Sequence, residues 1–187
     1  QGQDSPELEG DLKDAEGRAV AFRSAYQGKL SGLDGVGLGK AVQVYEDLLE
    51  IIGRIISFAQ LLQASHTTDP SVGSFYQTLQ ERVNAITTET LFFELELNTI
   101  DEVVLDMQLA APAAARYAPW ILDTRKMLPH QLDEPQEKLL HDKDLTGRTA
   151  WVRLFDETLA HLKFDLGGEQ EPLSKTLNQL TDSDNVK

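Results

Sequence analysis

The stretch from Asp69 to Asn98, DPSVGSFYQTLQERVNAITTETLFFELELN, decides the fold class of this chain. Along it the residues of one face step by four and three, a spacing that stacks side chains along one side of an α-helix. These residues are Val72, Tyr76, Leu79, Val83, Ile86, Thr90, Phe93 and Leu97. Asp69 and Pro70 provide an N-cap and a first-turn proline. We therefore predict one long amphipathic helix over residues 70–98.

Two similar patterns precede this helix. Residues 5–27 form the first, with Ser5 as a potential N-cap, and residues 38–65 form the second, whose broad apolar stripe indicates burial on two sides. Between them, the glycines from Gly35 to Gly39 predict a hinge or turn. Short connections place consecutive long helices antiparallel. The expected fold is mainly all-α, an up-down bundle of long helices.

After residue 98, helix-breaking residues interrupt the helical pattern more often. Prolines at 112, 119 and 129 predict short helices and turns, and the sequence from Asp133 to Gln136 has the form of a capping box that opens a helix to about Lys143. A following helix, after Gly147, would place an inner face on the core. That face consists of Trp151, Leu154, Phe155, Thr158 and Leu162.

A small β-hairpin is predicted near the C-terminus, because Gly167-Gly168 suits a tight turn between short alternating segments. A last short helix would start near Leu173. We expect a helical N-terminal domain over residues 1–161, and a hairpin with a short helix over residues 162–187 that leads into a catalytic domain absent from this chain.

Composition excludes several classes of function. The 187 residues contain 17 Lys and Arg against 31 Asp and Glu, and the resulting net charge of -14 repels phosphate backbones and anionic lipids. No cysteine is present, which excludes disulfides, thiol nucleophiles and iron–sulfur ligation. Glu50 and Arg54 interrupt the most apolar stretch, and no signal peptide pattern opens the chain. We expect no nucleic-acid partner, no membrane partner and a cytoplasmic location.

Few residues suggest chemistry. The four histidines never occur four residues apart, and the zinc-binding motif HExxH is absent. Glu137 and His141 could form half of a cation site, although a solvated contact is the commoner arrangement. His66 lies near Ser65 and Asp69, where helix capping explains the composition better than a catalytic triad does.

His130 follows Pro129 in a predicted loop, where it could contact a ligand or cap a helix end, and capping is the commoner role. We predict no catalytic residue, no metal site and no cofactor in this chain.

Three segments resemble the N-terminal region of oligoendopeptidase F, a bacterial branch of the M3 zinc metallopeptidases. They are YEDLLEIIGRIISFAQLLQASHTTDP (45–70), LFFELELNTID (91–101) and PWILDTRKMLPHQLDEPQEKLLHDKDLTGRTAWVRLFDETLAHLKF (119–164). The third segment is the most specific, because its Arg, Pro-His, Thr-Gly-Arg, Ala-Trp and Leu-Phe-Asp-Glu elements follow the family's order.

The resemblance implies a peptidase whose HExxH zinc site lies in the C-terminal catalytic domain, so this chain alone should be inactive. It also implies a wall of the channel that admits oligopeptides, with Arg125 and His130 as substrate-channel candidates. The implied partners are the chain's own catalytic domain, which would dock on exposed apolar surface, and oligopeptide substrates. The alternative is a free-standing acidic helical module that binds other proteins.

Overall fold

Three long helices form the body of the structure, a computed structural model that describes residues 2–181. They are α1 (Pro6–Tyr26), α2 (Gly35–Ser65) and α3 (Pro70–Thr99). Phe22 near the end of α1 stacks on Tyr45 in the first half of α2, and Phe58 near the end of α2 meets Phe75 near the start of α3. Ion pairs join Arg82 to Glu9 and Arg23 to Glu89, so α1 and α3 run in the same direction. The predicted up-down arrangement is confirmed.

Shorter elements follow the bundle. They are α4 (Glu102–Leu109), α5 (Pro112–Ala115), α6 (Ala118–Thr124), α7 (Glu134–Thr146), α8 (Arg148–His161), β1 (Lys163–Leu166), β2 (Glu169–Pro172) and α9 (Leu173–Thr181). Two 3₁₀ turns, Leu30–Gly32 and Arg125–His130, connect α1 to α2 and α6 to α7. The second turn contains Pro129, so the chain after α6 tightens into a 3₁₀ turn and does not continue as α-helix.

Aspartate side chains cap the starts of several helices. Asp34, Asp69, Asp101 and Asp133 each accept a hydrogen bond from a first-turn backbone N–H at 2.7–2.9 Å. Such a bond satisfies a donor that has no partner inside the helix. Ser5 occupies the N-cap position of α1, but its hydroxyl donates to the Glu7 carboxylate and makes no capping bond.

The glycines from Gly35 to Gly39 lie inside α2, so the predicted hinge is wrong. A Cβ on Gly39 would lie 2.4 Å from the backbone oxygen of Ala113, and one on Gly35 would lie 2.1 Å from that of Gln108. Both distances are far below van der Waals contact. These glycines therefore allow the first turns of α2 to pack directly against α4 and α5.

The core lies between the long helices and α4 to α6. One part is aromatic, where the ring of Phe22 contacts those of Tyr45, Phe92 and Phe93. The other part is aliphatic, built around Leu48, Ile52 and Ile86. Among the side chains that the structure describes, Ile121 is the last fully buried one, and none between Leu122 and Gln179 is buried. Helix α7 therefore packs on the outside of α3, while α8 packs mainly on α7 and α9 packs on the hairpin.

Helix α8 does not direct its apolar face into the core, and the predicted inner face is wrong. Trp151 is 70% exposed and Phe155 is 62% exposed, and Leu154 and Leu162 are also exposed. The periodic spacing is present, but α8 contacts the body mainly through α7 and polar groups such as the bond from Arg153 to Gln77. We call Trp151, Leu154 and Phe155, which share one side of the helix, the α8 face.

The β-hairpin is confirmed. Strands β1 and β2 pair antiparallel, with Leu166 opposite Glu169, and both Gly167 and Gly168 have positive φ angles. Positive φ at both turn residues matches the right-handed twist of the strands and favours glycine.

Helix α2 is long and apolar enough, by length and composition alone, to cross a membrane, and no other helix within residues 2–181 meets that test. Core helices of bundles commonly meet it too. Here α2 packs between α1 and α3, with Leu38, Leu48 and Ile55 buried. The expectation of no membrane partner stays a prediction.

Candidate functional site

A cavity of about 350 Å³ lies between α3 and α7, and we call it the α3–α7 cavity. Helix α3 forms its floor, the turn 125–130 and α7 form its rim, and α2 contributes two residues. The lining consists of Tyr45, Leu49, Thr87, Thr90, Leu91, Glu94, Leu95, Asn98, Met127, His130, Gln131, Glu137 and His141. Its volume is within the range of small-molecule sites.

The carboxylate of Glu94 is held by Tyr45, the most deeply buried titratable side chain of the cavity. The Tyr45 hydroxyl donates to Glu94 Oε1 at 2.9 Å. Burial, and then the negative charge of Glu94, raise the pKa of Tyr45 well above its usual value. Tyr45 is therefore a permanent hydrogen-bond donor that fixes one oxygen of the carboxylate.

Asn98 and Gln131 connect the end of α3 to the chain that leads into α7. Asn98 Nδ2 donates to Gln131 Oε1 at 2.8 Å, and Gln131 Nε2 donates to the Leu95 carbonyl at 3.2 Å. Asn98 is only 4% exposed, and its Oδ1 has no hydrogen-bond partner among the described residues. An unpaired buried acceptor is costly, and with less than 1 Å² of accessible surface this atom cannot be reached by a ligand in the cavity.

The two predicted channel residues have different surroundings. His130 is exposed and lines the α3–α7 cavity at its rim. Arg125 does not line it, and its Nη1 donates to the Leu97 carbonyl at 2.8 Å. Arg125 thus ties the 3₁₀ turn to the last turn of α3, where a cation also complements the helix dipole. Contact of either residue with substrate stays a prediction.

Glu137 and His141 both line the cavity but do not form a metal half-site. Glu137 Oε1 accepts from the Leu132 backbone N–H at 2.8 Å, and His141 Nε2 lies 2.9 Å from Thr87 Oγ1. Within residues 2–181 no three His, Asp or Glu side chains converge to hold a metal ion. The donor set of these residues does not fit the zinc ion that the family resemblance implies.

The Ser65, His66 and Asp69 cluster also has a structural explanation. Ser65 Oγ lies 2.9 Å from His66 Nδ1, but Asp69 Oδ1 accepts from the backbone and hydroxyl of Ser71. No carboxylate orients the imidazole, so the three residues do not form a triad.

Sequence reasoning missed most of the cavity. It gave no role to Glu94, Asn98 or Thr87. One signal was available: Thr87, Leu91, Glu94 and Asn98 follow helical spacing and form a mixed strip beside the apolar face of α3. The lining residues of α7, Glu137 and His141, lie far from this strip in sequence, so the pattern alone could not show that they share a cavity with it.

A larger cleft of about 570 Å³ separates α8 from the adjoining ends of α2 and α3. It contains both signs of charge, with Arg148 and Arg153 beside Asp156 and Glu157, and Arg153 pairs with Glu157 at 3.5 Å. This mixture gives the cleft no marked preference for a cation or an anion.

Comparison with protein families supports the resemblance seen in the sequence. Residues 96–164 match the family model described as Oligopeptidase F, an N-terminal M3 peptidase model. The match covers α4 to α8 and the rim of the α3–α7 cavity. Comparisons with curated proteins and with solved structures found no match. Residues 96–164, which are 69 of the 187 residues, are therefore similar to the N-terminal region of M3 oligoendopeptidase F-like proteins.

Proposed function

We propose that this chain is the non-catalytic N-terminal part of a zinc-dependent oligoendopeptidase and forms a wall of the channel that admits oligopeptides to the active site. The observation that carries the proposal is the α8 face, which is exposed and lies within the residues that match the family. Zinc and peptide-bond hydrolysis then belong to the catalytic domain.

The α8 face has the character of a docking surface. Single exposed apolar residues are common, but three large side chains on one side of a helix expose a continuous apolar surface. Trp151 and Phe155 are also of the types that dominate interface energetics when they are buried. We identify the occupant as the catalytic domain, because the match over 96–164 is to a peptidase family.

The bundle is suited to holding a channel wall at a fixed position. Its three long helices share one buried core, and α7 is anchored to α3 by side-chain bonds such as that from Asn84 to Asp142 at 3.1 Å. A rigid wall would select peptides by width, and the negative charge would favour basic segments near it.

Binding of a separately produced catalytic domain tests this proposal. Isothermal titration would compare the chain with a variant that carries Trp151→Ser and Phe155→Ser. We expect the double substitution to weaken binding by at least about 30-fold, since aromatic anchors at interfaces contribute 2 kcal/mol or more. Leu61→Ser is the matched control, because Leu61 is 72% exposed on α2, outside the α8 face.

Equal binding by the double variant and the native chain would show that the catalytic domain docks elsewhere. If the catalytic domain does not bind the native chain, the peptidase role is wrong, and the free-standing interaction module becomes the better account.

A further inference from the structure

The turn of the β-hairpin fixes which backbone groups face outward. Gly167 and Gly168 have φ angles of 69° and 94°, as in the type I′ turn of a two-residue hairpin. The residues that flank such a turn, Leu166 and Glu169, form a pair that exchanges both backbone hydrogen bonds, and pairs with and without these bonds then alternate. Every second residue of each strand therefore directs its N–H and C=O away from the partner strand.

Strand β1 has an open side. By this alternation its outward backbone groups belong to Lys163 and Asp165, while Phe164 bonds to β2. Within residues 2–181 no hydrogen bond is made to the outward N–H or C=O of Lys163 or Asp165. Two N–H and two C=O groups thus stand free along this side, which we call the β1 edge, in the arrangement that a further strand pairs with.

The outer side of β2 is closed. Pro172 stands at an outward position, where it has no N–H to donate. Its carbonyl accepts from the Thr176 hydroxyl of α9 at 3.0 Å. Only Gln170 has both an N–H and a C=O directed to that side, so β2 lacks the run of groups that strand addition requires. A two-stranded hairpin gains stability from further strands, and the β1 edge is where this hairpin can add them.

The side chains of β1 are complementary to a second copy of the same strand. Lys163 and Asp165 project on one face of the hairpin and Phe164 on the other. In antiparallel pairing about a two-fold axis at Phe164, each Lys163 lies opposite the Asp165 of the other copy, and both of these pairs exchange backbone hydrogen bonds. The two Phe164 side chains meet at the central pair, which has no hydrogen bonds and brings side chains closest.

Other antiparallel registers are disfavoured. A slip of one residue sets outward against inward backbone groups and loses the hydrogen bonds. A slip of two residues places Lys163 opposite Lys163, or Asp165 opposite Asp165, and like charges directly opposite are destabilising. Both side chains can form the favourable pair. Asp165 Oδ1 accepts from the Gly168 N–H at 2.8 Å, which leaves Oδ2, and Lys163 makes no ion pair within the described residues.

We propose that two copies of this chain associate through their β1 edges and form a four-stranded antiparallel sheet with its two-fold axis at Phe164. The strand is short, and the net charge of -14 on each copy opposes association. We therefore expect a weak dimer, with a dissociation constant on the order of 0.1 mM. The inference does not depend on the peptidase role, because it uses no residue of the α8 face.

Sedimentation equilibrium of the full 187-residue chain between about 10 µM and 1 mM tests the inference. Lys163→Glu or Asp165→Lys alone sets like charges opposite each other and should weaken the dimer at least about tenfold. The variant with both changes restores opposite charges and should regain most of the native affinity. Its bond to Gly168 is lost as in Asp165→Lys, so the difference between the two reports the charge pairing.

Two further variants serve as controls. Glu169→Lys changes the net charge as Asp165→Lys does, but it lies on β2 outside the paired edges, and it should dimerise as the native chain does. Lys163→Pro removes an outward N–H and should abolish the dimer while the hairpin bonds remain. The extended backbone of Leu162, with φ -62° and ψ 126°, accommodates a following proline.

A single cysteine locates the two-fold axis, because the native chain contains none. In the central pair the Cβ atoms lie about 4.5–5.5 Å apart, within a small movement of disulfide geometry. Phe164→Cys should therefore form a disulfide-linked dimer on mild oxidation much faster than Gln170→Cys on the same hairpin. Equal rates would contradict the axis.

A native chain that stays monomeric up to about 1 mM would overturn the inference. So would a double charge variant that dimerises no better than Asp165→Lys, with circular dichroism showing intact helices. A dimer that survives Lys163→Pro but is lost in the variant with Trp151→Ser and Phe155→Ser would assign association to the α8 face instead. The docking experiment changes only α8, so each proposal can fail while the other stands.

Discussion

At the scale of single residues, the absence of a side chain at Gly39 sets the distance between helices. Gly39 lies on the buried side of α2, where a Cβ would meet the Ala113 carbonyl carbon and oxygen at 2.4 Å. The obstructing atoms are backbone, so they cannot move aside as the end of a flexible side chain could. The close packing of α2 on α5 therefore depends on this position.

We predict that Gly39→Ala lowers the free energy of unfolding by about 1–3 kcal/mol, the usual cost of overpacking a core. Gly53→Ala is the control, because no atom lies within 4 Å of its Cβ position in the same helix. That control should be neutral or more stable by up to about 1 kcal/mol, since alanine favours helix. Urea denaturation measures both, and equal stability of the two variants would contradict the close packing.

Tyr45 makes stability depend on alkaline pH. Its pKa is raised in the folded protein by burial and by Glu94, relative to an ordinary value of 10.0. Above about pH 10 the unfolded chain therefore releases this proton while the folded chain retains it, and folding loses free energy as pH rises. Tyr117, which donates to Glu46, also has a raised pKa through burial first and this bond second.

We predict that unfolding free energy falls above pH 10 by up to about 1.4 kcal/mol per pH unit for each such tyrosine. Tyr45→Phe should make the fall of unfolding free energy with pH less steep. The remaining slope would be the contribution of Tyr117. Denaturant titrations between pH 8 and about pH 11 measure the slope. An identical slope in the variant would show that Tyr45 ionises as freely in the folded state as in the unfolded one.

At the scale of secondary-structure elements, α8 differs from the helices of the core. The apolar residues of α8 are spaced as regularly as those of α3. Trp151 of α8 is nevertheless 70% exposed, whereas Ile121 of the core helix α6 is 0% exposed. Apolar periodicity identifies the side of a helix that needs a partner, and it does not show whether the same chain supplies that partner.

We predict opposite outcomes for truncations at these two positions in the isolated chain. Ile121→Ala should cost about 2–5 kcal/mol of stability because it leaves a cavity in a packed core. Trp151→Ala should change stability by no more than about 0.5 kcal/mol, as for other surface positions. Thermal and denaturant unfolding measure both, and a large loss from Trp151→Ala would place that side chain in the core.

Two helices differ in whether the side chain at the N-cap position makes a capping bond. Asp101 Oδ1 accepts from the Val103 and Val104 N–H groups at 2.9 and 3.4 Å, whereas the Ser5 hydroxyl makes no capping bond. We predict that Asp101→Ala costs about 1 kcal/mol of unfolding free energy. Ser5→Ala should have almost no effect on the same denaturation curve, and similar losses would show that α1 is capped after all.

At the scale of the whole molecule, the predictions of the α3 start and of the hairpin depended on residues adjacent in sequence and were confirmed. Asp69 and Pro70 define the start of α3 because an N-cap acts within one turn, and Gly167-Gly168 define the hairpin because positive φ favours glycine. The long helices and their order followed from these signals and from apolar spacing.

Contacts between distant segments explain what the sequence could not show. The run from Gly35 to Gly39 looked like a hinge because glycine disfavours helix, yet contacts with Gln108 and Ala113 place it inside α2. Likewise, Glu94 and Glu137 line the same cavity only because the fold brings α3 and α7 together. The spacing of residues within either helix does not specify that contact. The family resemblance was detectable in sequence, because residues 96–164 carry it as an ordered series of motifs.

Peptide hydrolysis measured in the presence of zinc tests the central claim most directly. The assay would compare the 187-residue chain alone, a separately produced catalytic domain alone, and the two mixed, on a fluorogenic oligopeptide. We predict no cleavage and no stoichiometric zinc for the chain alone, and faster cleavage by the mixture than by the catalytic domain alone. Zinc-dependent cleavage by the chain alone, or a mixture no faster than the catalytic domain, would contradict the account.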